Sequence, residues 1–330
     1  MKPFAIPRQL DEADETLRQE ILVSLRSAQN ADGGWGFHAG KQSRVEPTCW
    51  AARAILDSQK STDSEAVRKL IGFLRSKQLP DGSWPATDGT DSGSWVTSHA
   101  CALLARIPDC KKAVEAGLQW LCDDYPRDSS PWRKFLKKFQ TDTHIVAHND
   151  SYRGWGWTPR TSSWVEPTAF ALIAFGQAQS VGLAASISER RQLAISLLYD
   201  RMCPGGGWNC GNPRVYGVDG DALVLPTCWV LLALSDSPEH PSRALGIAWL
   251  QQALPQIETA GSLAVARITL ENYGIEPPAA KRNLSFWSVR EIVEQGAHVM
   301  AWVSMALNND RHWPSVFARH SAQDGVEGAQ

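Results

Sequence analysis

The sequence predicts an all-α protein: an α/α toroid of six helical hairpins, with twelve helices in two concentric rings. Three observations lead there. A glycine-tryptophan turn recurs along the chain, an Ala-rich apolar run follows each turn, and helical periodicity precedes it. The composition agrees, since 43% hydrophobic and 21% charged residues over a length of 330 describe a globular chain.

The turns come first. Residues 29–35 read QNADGGW and 78–84 read QLPDGSW, each a Gln with Gly four and Trp six positions later. Looser copies, RGWGW at 153–157 and PGGGW at 204–208, keep Gly-x-Trp and lose the Gln. A second element follows each turn: RVEPTCW (44–50), WVTSHAC (95–101), WVEPTAF (164–170) and LVLPTCW (223–229). With its Thr or Ser as anchor, the pairs Trp35–Thr48, Trp84–Ser98, Trp155–Thr168 and Trp208–Thr227 are 13, 14, 13 and 19 residues apart, so the fourth loop carries an insertion.

The segment before a turn is an amphipathic helix, as Val67, Leu70, Ile71 and Leu74 show at i, i+3, i+4 and i+7. The segment after it, such as PTAFALIAFGQA, is apolar on most of its circumference and carries Pro in its first turn, where a missing N–H costs nothing. Two further hairpins, ALGIAWLQQAL with SLAVARITLENYG and FWSVREIVEQ with AHVMAWVSMALNN, complete six. Closing the ring places the apolar helices inside and the amphipathic ones outside. A single toroid over 1–318 is expected, with a basic insertion at about 123–150 and a polar tail at 319–330.

The Gln-x-x-x-Gly-x-Trp pattern resembles the QW repeat of the squalene–hopene and oxidosqualene cyclases, whose α/α toroid is shared by the protein prenyltransferases. The resemblance covers roughly residues 15–308 and implies a single-toroid member of that superfamily. It implies that the Gln caps helix ends and the Trp stacks on a neighbour. It also implies class II cyclase chemistry: an acid protonates a polyprenyl substrate in a hydrophobic central cavity, and aromatic faces stabilise the cation. No organic cofactor is needed for that.

The family acid is the central Asp of a DxDDT-like motif. Here the Thr-anchored match is RVEPT, which puts Glu46 at that Asp and Pro47 at the next; WVEPT puts Glu166 at the same point of the third repeat. Both are candidate catalytic acids, and both equally fit a carboxylate placed against a helix dipole. Trp50, Trp95, His99, Trp229, His298 and Trp302 lie at or near the mouths of inner helices and are expected to line a substrate pocket.

Outside the toroid proper, Trp132, Phe135, Leu136 and Phe139 share one helical face and Arg133, Lys134, Lys137 and Lys138 the other. Such a helix suits a membrane or phosphate contact, and equally an outer helix with solvated lysines. Asp219 and Asp221 in the fourth loop could hold Mg2+ or form an ordinary turn. The seven scattered cysteines read as reduced core residues, and no resident metal site is expected.

A formal charge of −2 supplies no general field for nucleic acid. The expected ligand is a hydrophobic isoprenoid or lipid, in a cytoplasmic protein, peripheral at the membrane if the basic helix docks there. Two alternatives stand beside the cyclase reading. One is a non-catalytic toroid that binds a lipid or partner protein. The other is a carbohydrate-active toroid using Glu46 and Glu166 as its paired carboxylates.

Overall fold

A computed structural model describes residues 12–58, 65–126, 149, 151–183, 188–280 and 283–308. The basic segment with Arg133, Lys134, Lys137 and Lys138 and the 319–330 tail lie outside the described residues. Twelve α-helices occur among those described. They are α1 (Glu12–Ser27), α2 (Val45–Asp57), α3 (Glu65–Lys77), α4 (Val96–Leu104), α5 (Lys111–Asp123), α6 (Val165–Ser180), α7 (Ser188–Asp200), α8 (Val224–Ala233), α9 (Pro241–Ala253), α10 (Ala260–Asn272), α11 (Val289–Glu294) and α12 (Ala297–Ala306).

Even-numbered helices form the inner ring, each packed on the next: α2 on α4, α4 on α6, α6 on α8, α8 on α10, α10 on α12, and α12 back on α2. The last contact closes the toroid. Odd-numbered helices pack outside, for example α5 against α4 and α6, and α9 against α8 and α10. The two hydrophobicity patterns follow this division. On α3, Val67, Leu70 and Leu74 are buried and Ile71 half-buried, whereas α6 is buried nearly all round.

The repeated turn is a hydrogen-bonded hub. The backbone N–H groups of Trp35, Trp84, Trp155 and Trp208 donate to the hydroxyls of Thr48, Thr97, Thr168 and Thr227 at 2.8–3.0 Å. The anchor of the second repeat is therefore Thr97 and not Ser98, which restores the 13-residue spacing seen in repeats one and three. Each indole N–H donates to a carbonyl near the end of the preceding outer helix: Leu25, Leu74, Leu121 and Leu198.

Gln and Trp thus divide the work differently from the expectation. The indole caps the outer helix, and the Gln ties the turn to the next one: Gln29 donates to the Gly33 and Ala66 carbonyls, and Gln78 to those of Gly82 and Ala113. Gly82 has φ +90° and faces the Ala116 carbonyl so closely that a Cβ would stand 2.6 Å from its oxygen, so only glycine fits. Trp84 and Trp208 pack over Gly117 and Gly246 of the following outer helix, and Trp155 lies under the Arg190 guanidinium at 4.4 Å.

The long fourth loop adds a feature the sequence reading did not foresee, an antiparallel hairpin pairing β1 (Arg214–Val215) with β2 (Val218–Asp219). Its turn residues Tyr216 and Gly217 have φ of 51° and 77°, the left-handed pair of a tight hairpin.

Candidate functional site

Inner helices all begin at the same end of the toroid, so their first turns surround a mouth. The Thr anchors, with the first helical residue where no anchor exists, put Glu46, Trp95, Glu166, Leu225, Gly261 and His298 at one level there. One turn deeper, four residues on, stand Trp50, His99, Phe170, Trp229, Val265 and Trp302.

Five members of the deeper level converge on one another from five helices. Trp50 stacks on Trp229 at 5.4 Å between centroids, and Trp302 lies edge-on to Trp50 at 5.6 Å and 5.7 Å from Trp229. His99 stands 5.2 Å from Trp50 and 4.4 Å from Phe170, which reaches Trp229 at 5.4 Å. Together they form an aromatic floor beneath the mouth. Gly261 makes room for it, since a Cβ there would meet the Trp302 ring at 3.3 Å.

Glu46 and Glu166 stand above this floor, on helices separated by α4. Both are partly buried, and neither makes a hydrogen bond or ion pair with any described residue, so neither side chain caps its helix. Burial, and then the charge of Glu166, push the Glu46 carboxyl up to about 7; burial alone raises Glu166. Glu46 thus remains largely protonated up to neutral pH.

Three polar ring atoms near the floor also lack partners among the described residues: Nε2 of His99, Nδ1 of His298 and Nε1 of Trp302. Burial and the neighbouring Arg53 drive the His99 imidazole down to about 3, and His298 is lowered by burial and by His38. Arg53 lies below the floor, 5.2 Å from the Trp50 ring, with the Asp57–Arg106 ion pair (2.9 Å) beyond it.

Of the expected pocket residues, Trp50, His99, Trp229 and Trp302 belong to the floor. His298 stands at the mouth, 5.0 Å from Trp302. Trp95 is turned away: it meets Trp157 edge-on at 5.2 Å and lines, with Trp120 and Trp155, a cavity of about 10 Å3 at the seam between repeats two and three, room for one water. Phe170 was missed, although it follows Glu166 at the interval by which Trp50 follows Glu46. Asp219 pairs with Arg214 at 3.0 Å on the exposed hairpin, and among the described residues no three His, Cys, Asp or Glu side chains gather as a metal cluster. All seven cysteines are free thiols.

No protein-family model matches the chain. It is similar to a drimenyl diphosphate synthase of Streptomyces showdoensis, 26% identical over 253 residues, which cover 66% of this chain and 46% of that protein. It is also similar to the lanosterol synthase of Homo sapiens, 37% identical over 89 residues, covering 24% and 12%. The alignments span about half, or less, of these curated relatives. Among solved structures, a protein from Actinoplanes matches with a TM-score of 0.59 at 15% identity, covering 90% of this chain and 99% of the other. The type II terpene cyclase MstE from Scytonema matches at 0.53 and 15% identity, covering 79% and 74%. The chain therefore resembles the terpenoid cyclases in sequence and has their α/α toroid fold. No described helix is long and apolar enough to cross a membrane.

Proposed function

We propose that this protein cyclises a polyprenyl substrate in the manner of class II terpene cyclases, with Glu46 as the initiating acid. One observation carries the reading: an unpartnered carboxyl, held protonated by burial and by Glu166, stands over a floor of Trp50, Phe170, Trp229 and Trp302. A neutral acid above π faces is what alkene protonation requires, because the proton leaves as the cation forms against the rings. Glu166 assists by keeping Glu46 protonated. The likeness to a drimenyl diphosphate synthase and to a type II terpene cyclase favours an isoprenoid over a carbohydrate.

The ligand is then a hydrophobic isoprenoid, taken up with help from a membrane contact through Arg133, Lys134, Lys137 and Lys138. The chemistry needs no organic cofactor, and Mg2+ at Asp219 and Asp221 would have to displace the Arg214 pair. The contact distances within the floor favour a second reading, a toroid whose centre is packed and which acts as a scaffold.

Turnover of farnesyl and geranylgeranyl diphosphates and squalene by the wild type and by Glu46→Gln separates the two. The cyclase reading expects cyclic products from the wild type and none from a folded Glu46→Gln. A wild type inert to all three substrates, with no thermal shift from any of them, would hand the case to the scaffold.

A further inference from the structure

The aromatic floor closes the lumen of the toroid. In the order of the inner ring α2 stands opposite α8, so the Trp50–Trp229 stack, 5.4 Å between centroids, bridges the lumen from side to side. Trp302 fills one flank of that bridge, lying 3.3 Å from where a Gly261 Cβ would stand, and His99 with Phe170 fills the other. Three residues further on, Arg53, Ala102, Ile173, Leu232, Ile268 and Met305 are buried as well. We propose that this seal, and not the length of the substrate, fixes how many carbocycles form: only the tail end of a polyprenyl chain is cyclised, while the rest of the chain and its head group stay outside the mouth. The inference rests on the cyclase reading above.

The depth of the basin follows from helix geometry. Four residues separate the mouth level from the floor, a rise of about 6 Å, and side chains at both levels lean the same way. Exposure changes over that one turn: Glu46, Trp95, Glu166, Leu225 and His298 are half-buried, whereas Trp50, His99, Phe170, Trp229 and Val265 are buried. Carbon atoms in contact stand ~3.5–4 Å apart, so a single layer of substrate fits between the aromatic faces and the Glu46 carboxyl, and a second, folded layer does not.

The lumen is also narrow. Six helices packed ~8–10 Å apart have their axes at about that distance from the centre, and half a helix diameter, ~5–6 Å, leaves roughly 7 Å across. One carbocycle lying flat fits that width, and two fused ones are the limit. The mouth in turn selects the end that enters. Its level carries the carboxyls of Glu46 and Glu166 and no Lys or Arg, so a diphosphate finds no counter-charge there and a neutral isoprenoid tail needs none.

The reaction balances. The Glu46 carboxyl gives its proton to the terminal alkene, and each C–C bond that closes a carbocycle consumes the π pair of the next alkene. Alkenes held outside are out of reach, so the last cation loses a proton from an adjacent carbon to water at the mouth, and that C–H pair becomes a C=C bond. The hydronium so formed reprotonates Glu46, and the product is an isomer of the substrate.

The test follows farnesyl diphosphate, geranylgeranyl diphosphate and squalene with wild type, Trp229→Leu and Trp302→Leu. Exhaustive hydrogenation and mass spectrometry count the carbocycles, since each lowers the mass of the saturated product by two hydrogens. Wild type is expected to form the same number, one or two, from all three chains. Opening the seal should raise the count by at least one on geranylgeranyl diphosphate or squalene, read in whichever variant keeps its helical circular dichroism. A wild-type count that grows from farnesyl diphosphate to squalene would overturn the inference and leave the cyclase reading intact. Acceptance of a single chain length, or an unchanged count in a folded variant, would do the same. No cyclic product from any of the three would overturn both.

Discussion

Two sets of tryptophans occupy this toroid, and they behave differently. Trp35, Trp84, Trp155 and Trp208, at the turns, are at most 2% exposed, and every indole N–H is hydrogen-bonded to an outer-helix carbonyl. Trp50, Trp229 and Trp302, on the inner ring, are also buried, yet none donates a hydrogen bond to a described residue, and Nε1 of Trp302 is enclosed without a partner among them. A buried N–H left unpaired costs about 1–3 kcal/mol, which a phenyl ring would avoid. The turn tryptophans are therefore staples that hold one repeat to the next. On the cyclase reading proposed above, the inner ones serve through their π faces.

Removing each kind should show the contrast at its largest. Trp208→Ala loses the cap to Leu198 and empties the space over Gly246, and should cost about 3–5 kcal/mol in urea unfolding. Trp302→Phe should change stability by no more than about 1 kcal/mol, because the hydrogen bond a staple would lose was never made. Equal losses in the two variants would break the distinction.

Glu46 supplies the next largest effect, and its sign is fixed. A carboxyl whose folded pKa is raised from 4.5 to about 7 stabilises the fold below 4.5 and loses that contribution as pH rises through 7. Glu46→Gln carries no such loss. Its melting temperature should match wild type near pH 4 and exceed it at pH 8, by the equivalent of roughly 2 kcal/mol after allowance for partial exposure. Glu166→Gln should move the wild-type decline to lower pH, since one of the two causes is removed. A Glu46→Gln variant less stable than wild type at pH 8 would mean that the carboxylate serves its helix after all.

Much of this architecture was legible in the sequence because the staples are local. Trp and Thr recur at a fixed interval, and the hydrophobic pattern assigns each helix to its ring. What escaped was the choice between adjacent hydroxyls. Both Thr97 and Ser98 can accept the Trp84 N–H, and only the path of the loop selects Thr97. That one-residue change turns Trp95 to the seam and sets His99 one turn below the mouth, so the floor could not be assembled from spacing alone. Thr97→Val should cost about 1–2 kcal/mol, leaving a buried tryptophan N–H unpaired, and Ser98→Ala at most about 0.5 kcal/mol. Denaturation midpoints decide it, and the reverse order would return the anchor to Ser98. Phe170 was within reach, because the interval from Glu46 to Trp50 repeats from Glu166.

The smallest expected effect concerns an aromatic residue that belongs to neither set. Tyr216 sits at the tip of the β1–β2 hairpin, 72% exposed, with φ of 51°, a conformation that suits Asn better than a bulky side chain. Tyr216→Asn should therefore raise stability, by about 0.5–1 kcal/mol in the same unfolding experiment. A tyrosine held at a cost to the fold, beside an equally exposed Val218, resembles the inner tryptophans in kind: its surroundings do not explain it. A loss of stability on the change to Asn would show instead that the ring packs in solution, and Tyr216 would then join the staples.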